Sequence, residues 1–155
     1  MSIYKKGDKT VVLVESSEIA TLIAQAKDQI ERRKLLRNYL KNKIVGKALF
    51  KVFENRRFDI KNTNSDTKHL THNEHLDTSL ALTQVEELIE ASELIGEKEV
   101  NLEKTTRSPN SYFWYFKVSV EFNNASHDYT LNIGKSKSDG HISLYEINNY
   151  NKKER

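Results

Sequence analysis

The sequence predicts an α+β fold, with helices from the first part of the chain packed on a C-terminal antiparallel β-meander. Three observations carry this. Residues 112–122 (YFWYFKVSVEF) place Tyr112, Trp114, Phe116, Val118, Val120 and Phe122 on one face of a strand and the more polar Phe113, Tyr115, Lys117, Ser119 and Glu121 on the other. Residues 127–133 and 141–147 repeat the two-residue alternation after short polar connections, which is the pattern of a meander. Upstream, apolar residues recur instead at helical spacing.

In chain order, residues 10–15 (TVVLVE) read as a short strand, either at a sheet edge or in an N-terminal hairpin. Ser16 and Ser17 can each cap a helix that carries Ile19, Ile23, Ala26 and Ile30, then Leu36, Leu40 and Ile44. That helix either continues to about residue 43 or breaks near Arg33, and Gly46 supplies a stop. Residues 48–60 read as a tight hairpin, with a helical tail ending near Phe53 as the competitor. Residues 61–79, polar and containing three of the five histidines, read mostly as loop. Thr83 with Glu86 makes a capping-box signature for an amphipathic helix to about Ile95, closed by Gly96. Residues 97–110 read as a charged, irregular link and 148–155 as a frayed polar tail.

A length of 155 residues fits one domain, divided into a helical extension (1–45), a core (46–147) and the tail. The chain has no cysteine, so disulfides, thiolate metal sites and cysteine nucleophiles are excluded. It has neither the apolar stretch of a signal peptide at its start nor an apolar run long enough for a membrane span. A soluble, cytoplasmic protein without a membrane partner is the expectation; a toxin domain exported by another route has the same appearance. The net charge of +3 conceals an asymmetry: residues 27–57 hold eleven Lys/Arg against three Asp/Glu, whereas residues 82–104 hold seven Glu against two Lys. The two segments either pair internally or present a polyanion-facing patch that includes Arg32, Arg33, Arg37, Arg56 and Arg57.

Two groups of residues can carry chemistry. His69, His72 and His75 are spaced three and three, so a regular helix cannot aim all of them at one metal, and HExxH is absent. A pair of them with Glu74 or Asp77 can bind zinc; no metal or cofactor is the expectation, and an acid or base role suits an imidazole at neutral pH. The second group is the polar side of the meander, where Lys117, Ser119, Thr130, His141, Ser143 and Tyr145 fall together if the registers hold, with Arg107 in the loop entering the sheet as an oxyanion contact. Phosphate-loop, dinucleotide-binding and serine-hydrolase motifs are missing.

The order KHLTHNEH, LTQVEELIEASELI, YFWYFKVSVEF, then YTLNIGKSKSDGHISLYEI resembles domains attached to large polyvalent proteins of phages and mobile elements. It is also similar to the nucleases of the Barnase–EndoU–colicin–RelE superfamily, over roughly residues 46–147, ending in Leu144-Tyr145-Glu146-Ile147. The resemblance implies metal-independent RNA cleavage by a toxin or effector. His69 or His72 would be base or acid, Lys117 or Arg107 would neutralise the phosphate, and Ser143 and Tyr145 would line the sheet. The alternatives are a non-catalytic module binding nucleic acid or a cognate protein, and an inhibitor whose acidic segment 83–97 mimics nucleic acid.

Overall fold

The computed structural model describes residues 2–72, 75–101, 103, 108–122 and 125–150. Its elements are β1 (Ile3–Lys6), β2 (Lys9–Leu13), α1 (Glu18–Ala24), α2 (Gln29–Lys43), β3 (Leu49–Phe53), β4 (Arg56–Ile60), α3 (Asn64–Leu70), α4 (Leu76–Leu82), α5 (Val85–Ala91), β5 (Glu93–Glu99), β6 (Asn110–Phe122), β7 (Ala125–Ser136) and β8 (Ile142–Asn149). The strands form one curled, open sheet in the order β1-β2-β6-β7-β8-β4-β3, with β5 also paired to β6.

The expected meander is present and each strand is longer than its alternating run. β6 and β7 pair antiparallel from Phe122–Ala125 back to Asn110–Ser136, and β7 continues antiparallel onto β8. Trp114, Phe116, Val118, Val120 and Phe122 are all buried, as the period of two requires. They share one apolar core with Leu36 and Leu40 of α2, Leu82 of α4, and Leu88 and Ile89 of α5. Phe58 meets Trp114 and Phe116 edge-on, with ring centroids 5.4 and 5.2 Å away.

One edge of β6 serves two strands. Its first half pairs antiparallel with β5, and its second half pairs parallel with β2 at Val11–Ser119 through Leu13–Glu121. Residues 1–45 therefore supply more than helices: β1 and β2 form a hairpin that joins the sheet, and Ile23, Leu36, Leu40 and Ile44 enter the core.

Several sequence expectations are corrected. The first helix breaks at residues 25–28 rather than near Arg33, because Asp28 caps α2 by accepting from the Glu31 N–H at 2.8 Å. That restart changes the helical phase and leaves Ile30 74% exposed. Residues 61–79 are not mostly loop. Thr63 and Asp66 make a capping box for α3, and α4 begins at Leu76. The proposed Thr83–Glu86 box does not form: Thr83 is the C-cap of α4, its hydroxyl donating to the Leu80 carbonyl, and α5 starts without a side-chain cap. Residues 93–99, expected as helix end and irregular link, are β5. The hairpin at 48–60 forms as expected, turning through Glu54 at φ +56°, but it buries Lys51 and exposes Phe50 and Val52. Burial pulls the Lys51 ammonium pKa down, and its Nζ donates to the Glu90 carbonyl at the end of α5 at 2.7 Å.

The step from β4 to α3 positions everything that follows. β4 pairs with β8 at Ile60–Ile142, and the carboxamide of Asn62 then takes the place of a strand. Its Nδ2 donates to the Leu144 carbonyl at 2.9 Å and its Oδ1 accepts from the Leu144 N–H at 2.8 Å. Beyond it, α3 packs along β8.

Two substitutions test this frame by denaturant unfolding. Trp114→Ala is expected to cost about 3–5 kcal/mol, as an aromatic-to-alanine change in a packed core does. Asn62→Ala orphans a buried N–H and a buried C=O on Leu144 and should cost about 2–4 kcal/mol. A loss under about 0.5 kcal/mol, the size of an ordinary surface change, would remove either residue from the structural role given to it.

Candidate functional site

The short helix α3 ends against the outer, non-core side of β8. There the imidazole of His69 lies flat on the ring of Tyr145, with centroids 3.9 Å apart and planes 12° from parallel. Its Nε2 stands 3.4 Å from Glu146 Oε1. Tyr145 and Glu146 both face outward because β8 carries an irregularity opposite Asn132–Ile133, so Glu146 pairs with Asn132 and Leu144 with Ile133. Asn132 Nδ2 donates to the second oxygen of Glu146 at 3.0 Å and so fixes the carboxylate.

His69, His72 and His75 all border one cavity of about 390 Å3, together with Thr78, Glu146, Asn148 and Asn149. The end of α3 and the start of α4 together gather what spacing on one helix would spread. Burial pushes the Tyr145 phenol pKa up, helped by the charges of Glu146 and Asp66, so its hydroxyl stays protonated at neutral pH. The described residues contain no group of three or more His, Asp or Glu side chains arranged to share a metal ion. Asp77 stands 3.8 Å from His127, and Glu74 lies outside the described residues.

The other predicted residues do not enter this cavity. Ser143 is 1% exposed and does not line it. Lys117 lies on the outer side of β6, 3.7 Å from Asp128 Oδ2, with its Nζ 4.3 Å from the centre of the Tyr150 ring. It borders a different cavity of about 330 Å3 with Lys9, Thr10, Glu93 and Ser119. Asp128 there accepts from Ser119 and lies 3.2 Å from Lys9. Burial would raise the Asp128 pKa, but the Ser119 hydrogen bond and the two lysines outweigh it and hold the carboxyl below its usual value. Through the pairs Lys117–Thr130 and Thr130–Asn148, Lys117 sits two strand spacings, roughly 10 Å, from the cavity wall.

Among the basic residues, Arg56 pairs with Glu97 at 2.8 Å, which joins the basic and acidic segments internally. Arg57 pairs with Asp59 and covers the Phe50 ring. Arg32, Arg33 and Arg37 are half-buried along α2, and Arg107 lies outside the described residues.

Sequence reasoning missed Glu146, Asn132 and Asp66. The outward turn of Glu146 depends on the irregularity in β8, which alternation does not reveal. Asp66 carries a visible signal, since Thr63 and Asp66 stand three apart. His141 proves to be an anchor for α3: its Nε2 is 2.8 Å from Asp66, the capping residue, and its Nδ1 is 2.6 Å from Asp139.

Comparison with protein-family models, with curated proteins and with solved structures finds no match to this chain in any of the three.

The His141 clamp carries a pH dependence. Burial alone would lower the imidazole pKa, but the hydrogen bonds to Asp66 and Asp139 outweigh it and raise the value above the ordinary 6.5 or so. A raised folded-state pKa stabilises the fold fully below about pH 6.5, and that contribution is lost as pH rises through the folded value. Thermal melts should therefore show a decline in stability on the alkaline side of about pH 6.5, and His141→Gln should flatten it. An unchanged pH profile in the variant would show that the clamp contributes nothing.

Proposed function

We propose that the cavity beside α3 is an acid–base site that cleaves RNA through the ribose 2′-hydroxyl. The observation that carries this is the gathering of His69, His72 and His75 around one cavity with Glu146. Transesterification of RNA needs one group to take the 2′-hydroxyl proton and another to protonate the leaving oxygen, and imidazoles serve both purposes near neutral pH. His69 is held by the Tyr145 ring and faced by Glu146, which suits a group that must keep its aim. In this reading one imidazole accepts the 2′-hydroxyl proton as the 2′-oxygen attacks phosphorus. The P–O5′ bond then breaks, and a second imidazolium, from His72 or His75, gives its proton to O5′. The product ends are a 2′,3′-cyclic phosphate and a 5′-hydroxyl.

Lys117 lies too far across the sheet to meet the same phosphate and serves a neighbouring one. The resemblance to nucleases of the Barnase–EndoU–colicin–RelE superfamily and to domains of phage and mobile-element polyvalent proteins points the same way, and a toxin or effector role goes with it. No helix among the described residues is long and apolar enough to cross a membrane.

The test is incubation of the purified protein with tRNA and ribosomal RNA in EDTA. Cleavage leaving 2′,3′-cyclic ends is expected, with His69→Ala lowering the rate by about 100-fold or more, in the range that loss of a general acid or base produces. RNA binding with no cleavage by the folded protein would make the domain a binding module instead. Cleavage restored only by added zinc would move the chemistry to a metal.

A further inference from the structure

The stacked pair His69–Tyr145 is one end of a longer row of rings. Tyr145 lies 6.0 Å from Phe113, and Phe113 lies 6.2 Å from Tyr115, with those two rings 20° from parallel. Phe113 and Tyr115 occupy the side of β6 opposite the core, where alternation calls for polar residues, and all three rings keep part of their surface exposed. Cross-strand geometry leaves room beside Tyr115, which pairs with Gly96, a residue without a side chain. Gly134, the partner of Phe113, gives its space to the Asn110 carboxamide, 2.8 Å from where a Cβ would stand.

The surroundings are polar and carry charges of both signs: Glu146 and Asp66 lie beside Tyr145, and Glu93 is the cross-strand partner of Lys117. Lys98 is the cross-strand partner of Phe113 and is exposed, and Lys117 follows Tyr115 on the same side of β6. Asn132 pairs with Tyr115, and its Oδ1 is buried without a hydrogen-bond partner while its Nδ2 holds Glu146. A row of half-exposed rings, flanked by lysines and running into a histidine-lined cavity, is the equipment of a surface for unpaired nucleobases. Rings take base faces whatever the sequence, and ammonium groups take phosphates.

We propose that Tyr115, Phe113 and Tyr145 form a stacking platform for single-stranded RNA, which leads the scissile phosphate to the histidine cavity. Lys98 and Lys117 accompany the backbone. This rests on the cleavage reading of the cavity and adds its substrate class: unpaired RNA, since a duplex hides its base faces within the stack.

The experiment measures binding apart from cleavage. Fluorescence anisotropy is read with a labelled single-stranded oligoribonucleotide that carries 2′-O-methyl groups, which remove the nucleophile, and with a duplex of equal length. Wild type is expected to prefer the single strand. Phe113→Ala and Tyr115→Ala should each weaken that binding roughly 5- to 100-fold while melting temperature stays near wild type. Phe113→Tyr, which keeps the ring, should retain affinity if the ring face is what matters. Equal affinity of the alanine variants and wild type, or no preference over the duplex, overturns the platform. A variant that unfolds is replaced by Phe113→Leu, which keeps apolar volume without an aromatic face and is expected to bind weakly.

The cavity reading is separated from this one by a dinucleotide substrate too short to span the platform. Wild type should cleave it, and His69→Ala should not. Failure of dinucleotide cleavage by wild type with intact single-strand preference counts against the cavity reading alone.

Discussion

A single carboxamide decides where the candidate site can be. The β4–β8 ladder has one residue pair, too few to hold two strands in register, and Asn62 extends it by presenting to Leu144 the donor and acceptor that a strand backbone would have presented. Because the mimic is a side chain, the main chain is free to leave the sheet immediately, and Thr63 caps α3 at the next residue. The helix is thus launched from a fixed point beside β8, with its second anchor in the contact between Asp66 and His141. His69, one turn further on, arrives on Tyr145 with little freedom in position. A longer connection would have left the imidazole on a loop, where its approach to Glu146 would have to be established anew at each encounter.

The strands were readable where a single period governed them. In β6 six alternate side chains are apolar or aromatic, five of them are buried, and no competing signal exists. Reading failed where local capping competes with apolar spacing. Asp28 restarts a helix in a segment whose isoleucines suggest continuity, and Ile30 is left in solvent. Thr63 and Asp66 begin a helix inside a stretch whose Asn, Ser and Thr content suggests loop. The site was legible in composition and not in geometry. The three histidines stand out as residue types, but their convergence depends on α3 ending at Leu70 and a separate helix, α4, starting at Leu76, and the partner carboxylate depends on an irregularity of β8 that leaves no mark in the residue pattern.

Lys51 shows how a hairpin can run against its own hydrophobicity. Its neighbours Phe50 and Val52 are 59% and 63% exposed while the lysine points inward. The inversion follows from register: Phe53 and Phe58 must meet Phe116 and Trp114, and residues two apart share a side of the strand. The inward ammonium is tolerated because it ends at the carbonyl of Glu90, on the negative end of α5, with Glu90 and Glu93 offsetting part of its desolvation.

The shared edge of β6 has a bearing on how the chain acquires its structure as it is made. β2 lies near the start of the sequence and its parallel partner more than a hundred residues later, so that contact is among the most distant in the molecule. Sequence-distant pairings must bear a large loop-closure entropy before they return anything, and they slow folding. On a ribosome, the β1–β2 hairpin leaves the exit tunnel long before β6 exists and waits with one edge of β2 open. β5, close to β6 in sequence, is positioned to dock on the first half of that strand and leave the second half for the hairpin. Division of one strand edge between a nearby and a remote partner thus makes the N-terminal hairpin the natural last piece of the sheet, and the interval before it docks is the period in which an exposed edge is open to the wrong chain.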